Sequence, residues 1–237
     1  MKILVTGAHG FIGKNLVKRL QNSGYTDIIE YTRANTEEEL RNSCRQAEFV
    51  FHLAGINRPE NTDDFWSGNR DLTKKITGFL EEAGNKCPMI LSSSIQAEQT
   101  EESNIYAASK REAEEAVYEY GQKTGASVVI YRMPNVFGKW SRPDYNSAVA
   151  TFCHNIARGL PITVKDPEHT MHLAYIDDVV SEFIEDMEII MDGGTVYGSG
   201  ESHTSLRCPV YDVKLGYMAE IIESFPVMRE SLEVPKL

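Results

Sequence analysis

Positive charge is in short supply in this chain: 24 lysines and arginines stand against 35 aspartates and glutamates, a formal net charge of -11 at pH 7. Nucleic acids and anionic membranes recruit basic surfaces, so the balance argues against both as partners, and an anionic ligand has to be held by local donors. Cysteine is sparse as well. Cys44, Cys87, Cys153 and Cys208 show neither CxxC nor zinc-finger spacing, which argues against a structural metal site. A chain able to build an apolar core does not need disulfides, so reduced thiols are expected. His9, His52, His154, His169, His172 and His203 form no ligand pattern. His169 and His172, the nearest pair, lack a Cys or carboxylate motif to complete a site, and no functional metal is expected. No apolar run approaches a membrane span, and Met1–Thr6 is broken by Gly7, His9 and Gly10 too early for a signal peptide. A cytoplasmic protein is expected. Internal repeats, low-complexity tracts and an evident linker are missing too.

What remains is an ordinary globular composition, 41% hydrophobic and 25% charged over 237 residues, enough for one large α/β domain. Ile3-Leu4-Val5 reads as a buried strand. Ile12, Leu16 and Leu20 then recur at helical spacing until Gly24. Short apolar runs follow at Ile28-Ile29, Phe49-Val50-Phe51, Met89-Ile90-Leu91 and Val128-Val129-Ile130, with helical patterns between them at Leu72–Ala83 and Ser109–Tyr120. Strands alternating with helices predict a parallel, doubly wound sheet of Rossmann type. After Arg132, Pro134, Gly138, Pro143, Gly159, Pro161, Gly193, Gly194, Gly198 and Gly200 break the pattern into short pieces. The division expected is a single domain with residues 1–134 mainly for dinucleotide binding and 135–237 mainly a smaller substrate-binding lobe. The chain stops at Pro235-Lys236-Leu237 without a finishing element, as a truncated protein would.

Gly7-Ala8-His9-Gly10-Phe11-Ile12-Gly13 follows the first strand and opens the first helix. Glycines there allow a tight turn, close approach of a pyrophosphate and tight helix–strand packing, while the helix N-terminus supplies N–H donors and a positive dipole end. The spacing is GxxGxxG, and on its own such a turn is also compatible with a simple loop. At the end of the second strand, where an acidic residue would take the ribose of NAD, stand Thr32 and Arg33. A guanidinium pairs bidentately with phosphate, so NADP(H) is the expected coenzyme. Glu30 keeps NAD(H) open, and Arg33 is otherwise an ordinary solvated cation.

Tyr106-Ala107-Ala108-Ser109-Lys110 places a phenol and an ammonium one helical turn apart, with Ser92-Ser93-Ser94 upstream at a strand end. A phenol ionises near pH 10, and a nearby cation lowers that value. A serine hydroxyl can then bond the substrate oxygen whose proton moves. Ser94, Tyr106 and Lys110 are therefore the catalytic candidates. The plainer alternative is a core stripe of Tyr106 with Ala113, Ala116, Val117 and Tyr120 beside a solvated lysine.

These motifs, with His52-Leu53-Ala54-Gly55, Asn69, Arg132-Met133-Pro134-Asn135-Val136-Phe137-Gly138 and Tyr175-Ile176-Asp177-Asp178-Val179, resemble the extended short-chain dehydrogenase/reductase family along nearly the whole chain. Ser92 to Ala97, His52 to Pro59, Asn135 to Trp140 and Tyr145 to Cys153 are similar to the N-terminal reductase domain of the CapF-type capsular polysaccharide enzymes. That resemblance implies NADPH reduction of the C4 keto group of a UDP-2-acetamido-2,6-dideoxy-hexulose on the path to UDP-N-acetyl-L-fucosamine. It also implies a C-terminal zinc-binding cupin domain, absent from this sequence. Two departures are Ile105 where the family often has Pro and Ser141 where Cys is expected.

The resemblance implies coenzyme contacts from Gly7, His9, Gly10, Phe11, Ile12, Gly13, Thr32, Arg33, Leu53, Ala54, Gly55, Tyr106 and Lys110. It further implies that Asn135 touches the substrate or its diphosphate, with Lys139, Arg142 and Asn146 as candidates for the UDP moiety; otherwise Lys139 and Arg142 are solvated and Trp140 packs. A homo-oligomer is expected. Ile95-Gln96 occupies the places where a 4,6-dehydratase carries Asp-Glu, which disfavours dehydration. A C4 epimerase with retained NAD and a non-catalytic NAD(P)-sensing module stay open as alternatives.

Overall fold

The computed structural model describes residues 1–101 and 104–231; the chain end at Pro235–Leu237 lies outside them. Two compact units divide the chain, residues 1–133 with 177–208, and residues 134–176 with the segment from 209 onward.

In the first unit, β1 (Ile3–Thr6), β2 (Ile28–Tyr31), β3 (Phe49–His52), β4 (Met89–Ser94) and β5 (Val128–Met133) form a fully parallel sheet of order β2-β1-β3-β4-β5. This is the doubly wound Rossmann-type topology expected. β1 and β3 are buried along their whole length, as strands covered on both faces should be. On one face Leu4, Val50, Met89, Leu91, Val128 and Ile130 meet apolar residues of α2 (Glu37–Gln46), α3 (Leu72–Glu82) and α4 (Ile105–Thr124). On the other, Phe51 and Tyr131 pack on Phe183 of α6 (Ile176–Met191), with ring centroids 6.3 and 5.3 Å apart. The dinucleotide loop joins β1 to α1 (Phe11–Asn22).

Two findings differ from the sequence pattern. α2 carries only Leu40 and Cys44 as buried apolar residues and starts at a reciprocal capping box of Thr36 and Glu39. The region after Arg132 is not broken into short pieces, since α6 runs sixteen residues. Most of α6 and the segment to Cys208 belong to the first unit. There a buried polar knot holds them: Glu182 accepts from the Arg207 and Cys208 amides, and Asp186 accepts from Arg207 and from the Tyr131 hydroxyl.

The second unit has its own sheet. β6 (Asn135–Phe137) pairs parallel with β7 (Thr170–Tyr175), which pairs antiparallel with β8 (Val210–Lys214). Phe152 of α5 (Ala148–Ile156), Leu173, and Met218, Ala219 and Ile222 of α7 (Leu215–Ser231) form its core. Among the described residues no helix is long and apolar enough to cross a membrane.

Candidate active site

Each glycine of the first loop has a steric reason to be glycine. Gly7 has φ +69°, and a Cβ there would stand 2.7 Å from the Ala54 amide nitrogen. A Cβ on Gly13 would stand 2.2 Å from the Gly7 carbonyl oxygen, and one on Gly10 3.1 Å from it. The chain thus makes a bare backbone cradle. Gly10 caps α1 without a side-chain hydrogen bond, and the first turn carries no acidic residue. The N–H groups and positive dipole end of α1 are not neutralised from within, as an anion site at a helix N-terminus requires. Phe11 and Ile12, half-buried, begin the helix.

The opposite wall is the segment after β3. His52 is fully buried and bridges Thr6 and Thr73, Nδ1 to Thr6 Oγ1 at 2.7 Å and Nε2 to Thr73 Oγ1 at 2.8 Å. Thr73 spends its proton on the Asn69 carbonyl at 2.6 Å, so its oxygen accepts from His52 Nε2–H and leaves Nδ1 to accept from Thr6. Burial, with the Lys110 charge second, pushes the imidazole down to about 3, which keeps this chain neutral. Thr6 Oγ1 in turn accepts the Ala54 amide at 3.2 Å, fixing Leu53-Ala54-Gly55 over the glycine cradle. Asn69, 1% exposed, holds the next stretch by accepting from Ile56 N at 2.8 Å and donating to Ile56 O at 3.0 Å. Its remaining N–H bonds Ser109 Oγ at 3.0 Å.

α4 carries the expected reactive groups. Asn104 caps it through its side chain to the Ala107 amide at 3.0 Å. Tyr106 packs on the Phe65 ring at 5.4 Å between centroids. Burial raises its phenol above the ordinary value, and a hydrogen bond with Ser94 opposes that rise. Ser94, at the end of β4, also accepts the Gln96 amide at 3.2 Å. Lys110 is 8% exposed, with Nζ donating to the Ser92 carbonyl at 3.1 Å. Its burial lowers the ammonium to about 8, against the opposing charge of Glu114. Ser94, Tyr106 and Lys110 are therefore brought together. The phenol is governed by burial and Ser94, where the sequence suggested Lys110.

At the β2 end, Thr32 is tied down by Asn35 Oδ1, 2.8 Å from its amide and 3.1 Å from its hydroxyl. Arg33 is exposed beside it. Glu30 instead reaches the glycine loop, its carboxylate 3.4 Å from His9 Nε2.

Asn135, Lys139, Arg142 and Asn146 all fall in the second unit, exposed, Asn135 on β6 and the others in the loop that follows. In that loop Trp140 and Asp144 adopt φ of +67° and +55°. Left-handed conformations at non-glycine residues carry strain that tends to persist where a loop is shaped for function. Arg142 lies over the Tyr145 ring at 5.5 Å.

Sequence reasoning gave no role to Thr6, Thr73 or Phe65. The four-residue spacing of Asn69 and Thr73 on one helical face was the available signal. All four cysteines are free thiols.

Residues 3–188 match the NAD dependent epimerase/dehydratase family. The chain is 42% identical over its whole length to a Pseudomonas aeruginosa UDP-2-acetamido-2,6-beta-L-arabino-hexul-4-ose reductase and covers 61% of that protein. It superposes on the crystal structure of the capsular polysaccharide assembling protein CapF from Staphylococcus aureus with TM-score 0.84 and 38% identity, covering 62% of that chain. A Thermotoga maritima UDP-glucose 4-epimerase with UDP-glucose, TM-score 0.79 at 21% identity over 94% of this chain, shares the fold. The chain thus spans about three fifths of the length of these first two relatives.

Proposed function

The chain belongs to the NAD dependent epimerase/dehydratase family, and from that premise we propose that it reduces the C4 keto group of a UDP-2-acetamido-2,6-dideoxy-hexulose with NADPH, in capsular or surface polysaccharide synthesis. The observation that carries this reading is the meeting of Ser94 with Tyr106, one turn from the buried Lys110. The likeness to a hexul-4-ose reductase over the full length of this chain supports ketoreduction.

The residues present fit a dinucleotide. Its pyrophosphate takes the glycine cradle and the N–H groups of α1, where any Cβ would intrude. Leu53, Ala54 and Gly55 form the facing wall. Arg33 reads a 2′-phosphate, with Thr32 held rigid next to it. The nicotinamide supplies hydride when bound.

Tyr106 gives its phenolic proton to the oxygen developing negative charge at C4. Burial favours the neutral phenol, the form a proton donor needs. Ser94 donates a hydrogen bond to the same oxygen, and Lys110 grips the nicotinamide ribose. Asn135, Lys139, Arg142 and Asn146 are assigned to the substrate, the last three on the loop held in the strained shape noted above.

The test is incubation of the protein with NADPH and a panel of UDP-4-keto-sugars, following reduced-nicotinamide absorbance. Stoichiometric loss of NADPH with formation of a 4-hydroxy sugar is expected. Interconversion of C4 epimers without net coenzyme consumption would replace reduction with epimerisation, and coenzyme binding without any turnover would favour a sensing module.

A further inference from the structure

Glu114 stands outside the catalytic set, yet it is only 4% exposed. It lies one helical turn beyond Lys110 on α4. Ser93 Oγ donates to its Oε1 at 2.5 Å. Arg132 donates through Nε at 3.1 and 3.3 Å and through a terminal nitrogen at 2.7 Å. Ser93 and Arg132 are register partners on β4 and β5, so one carboxylate ties α4 to two adjacent strand ends, one residue before Ser94. A buried ion pair is seldom the most stabilising way to fill a core, because desolvation offsets much of the attraction. Packing alone therefore gives a weak account of it.

The charges around Lys110 supply a better one. His52 faces it from β3 and is neutral, Tyr106 is a neutral phenol on the same helix, and Asn69 and the Ser92 carbonyl are uncharged. Arg132, from β5, is a cation already matched by Glu114. Among the described residues, Glu114 is the anion that acts on the Lys110 ammonium, opposing the loss of its proton on burial.

We propose that Glu114 is a positioning residue that keeps Lys110 cationic and fixes α4 against Ser93, so that Tyr106, Lys110 and Ser94 hold their spacing. The inference rests on the reading of Lys110 as the group that grips the coenzyme ribose. Glu114 would reach neither coenzyme nor substrate and act wholly through its neighbours.

The experiment is a pH titration of the ligand-free protein labelled with [ε-13C]lysine. The Lys110 resonance is identified by its disappearance in Lys110→Arg, and in the unaltered protein its midpoint is expected near 8. In Glu114→Gln the midpoint should fall by about one pH unit, as expected for the loss of a neighbouring opposite charge. That variant leaves Arg132 unmatched, which by itself costs folding stability, so Arg132→Met and Glu114→Gln/Arg132→Met are measured beside it, with thermal melts to establish folding. A midpoint lower in the folded double variant than in folded Arg132→Met, which lacks the same cation, supports the proposal, and equal midpoints overturn it. Adding NADPH separates this from the reading beneath it. A Lys110 resonance in the unaltered protein that does not respond to NADPH would sink the coenzyme role while leaving the action of Glu114 decided by the titration.

Discussion

Lys110 and Gly55 are packed so closely that a Cβ built on Gly55 would stand 3.1 Å from Lys110 Nζ and 3.0 Å from Asn69 Oδ1. The absent side chain is therefore what lets the ammonium lie along the wall of the proposed coenzyme site. Gly55→Ala should fold, because the atoms met are side-chain ends and Gly55 itself is exposed. It should displace Lys110 from its place. Loss of one charge-assisted hydrogen bond, about 1.5–3 kcal/mol, corresponds to roughly tenfold or more in NADPH affinity. A coenzyme titration beside a thermal melt checks it; unchanged affinity in a folded protein would show that Lys110 has room to spare.

Burial of Lys110 also leaves a signature in stability. Its ammonium drops from 10.5 to about 8 on folding. Below pH 8 both folded and unfolded chains carry the proton, and the folded state bears the cost of a buried charge, about 3 kcal/mol by linkage. Between pH 8 and 10.5 the unfolded chain binds more protons than the folded one, so this contribution to stability rises with pH. Urea unfolding of the protein and of Lys110→Met should therefore give a stability difference that shifts in favour of the lysine protein across that window. A difference flat in pH would mean that Lys110 is not buried as a cation.

The candidate site residues were legible because their constraints are local. Gly7, Gly10 and Gly13 serve one turn, and Tyr106 and Lys110 share one helical face, so spacing alone carries the information. α2 escaped notice because it buries little apolar surface, though the pairing of Thr36 with Glu39 announces its start. The return of α6 to the first unit was hidden for a different reason. Gly193, Gly194 and Gly198 lie beyond its end at Met191, and they colour a stretch whose Val179, Val180 and Phe183 are buried core. The Ser93–Glu114–Arg132 cluster depends on β4 and β5 being neighbours in register. No sequence spacing records that, since separations of 21 and 18 residues have no periodic meaning.

The proposed choice of coenzyme turns on Glu30 and Arg33, the acidic and the basic group near β2. Glu30 is engaged with His9 of the glycine loop, whereas Arg33 is exposed next to a Thr32 locked by Asn35. Arg33→Ala should weaken NADPH by about ten- to a hundredfold, the equivalent of roughly 1.5–3 kcal/mol, and leave NADH nearly unchanged. Direct titration of both coenzymes decides it. An equal loss for the two would show that Arg33 does not read the 2′-phosphate, and a preference for NADH in the unaltered protein would move the reading to Glu30.

Tyr106 is the group whose removal should separate chemistry from binding. Its phenol meets Ser94 and is kept protonated by burial, while the coenzyme pyrophosphate is assigned to the glycine cradle, where Gly7 and Gly13 cannot accept a side chain. General acid catalysis contributes typically about 10²–10⁴-fold, so Tyr106→Phe should lower turnover by about that factor with NADPH affinity retained. The Phe65 contact at 5.4 Å survives the substitution, so the ring should keep its place and the protein its fold. Ser94→Ala should lower turnover less, because it removes a hydrogen bond to the same oxygen without removing the proton. Single-turnover reduction measured beside a coenzyme titration checks both variants. Near-normal reduction by a folded Tyr106→Phe that binds NADPH would mean that the proton comes from elsewhere. Ser94, the hydroxyl hydrogen-bonded to that phenol, would then become the donor to test, and the ranking of the two variants would reverse.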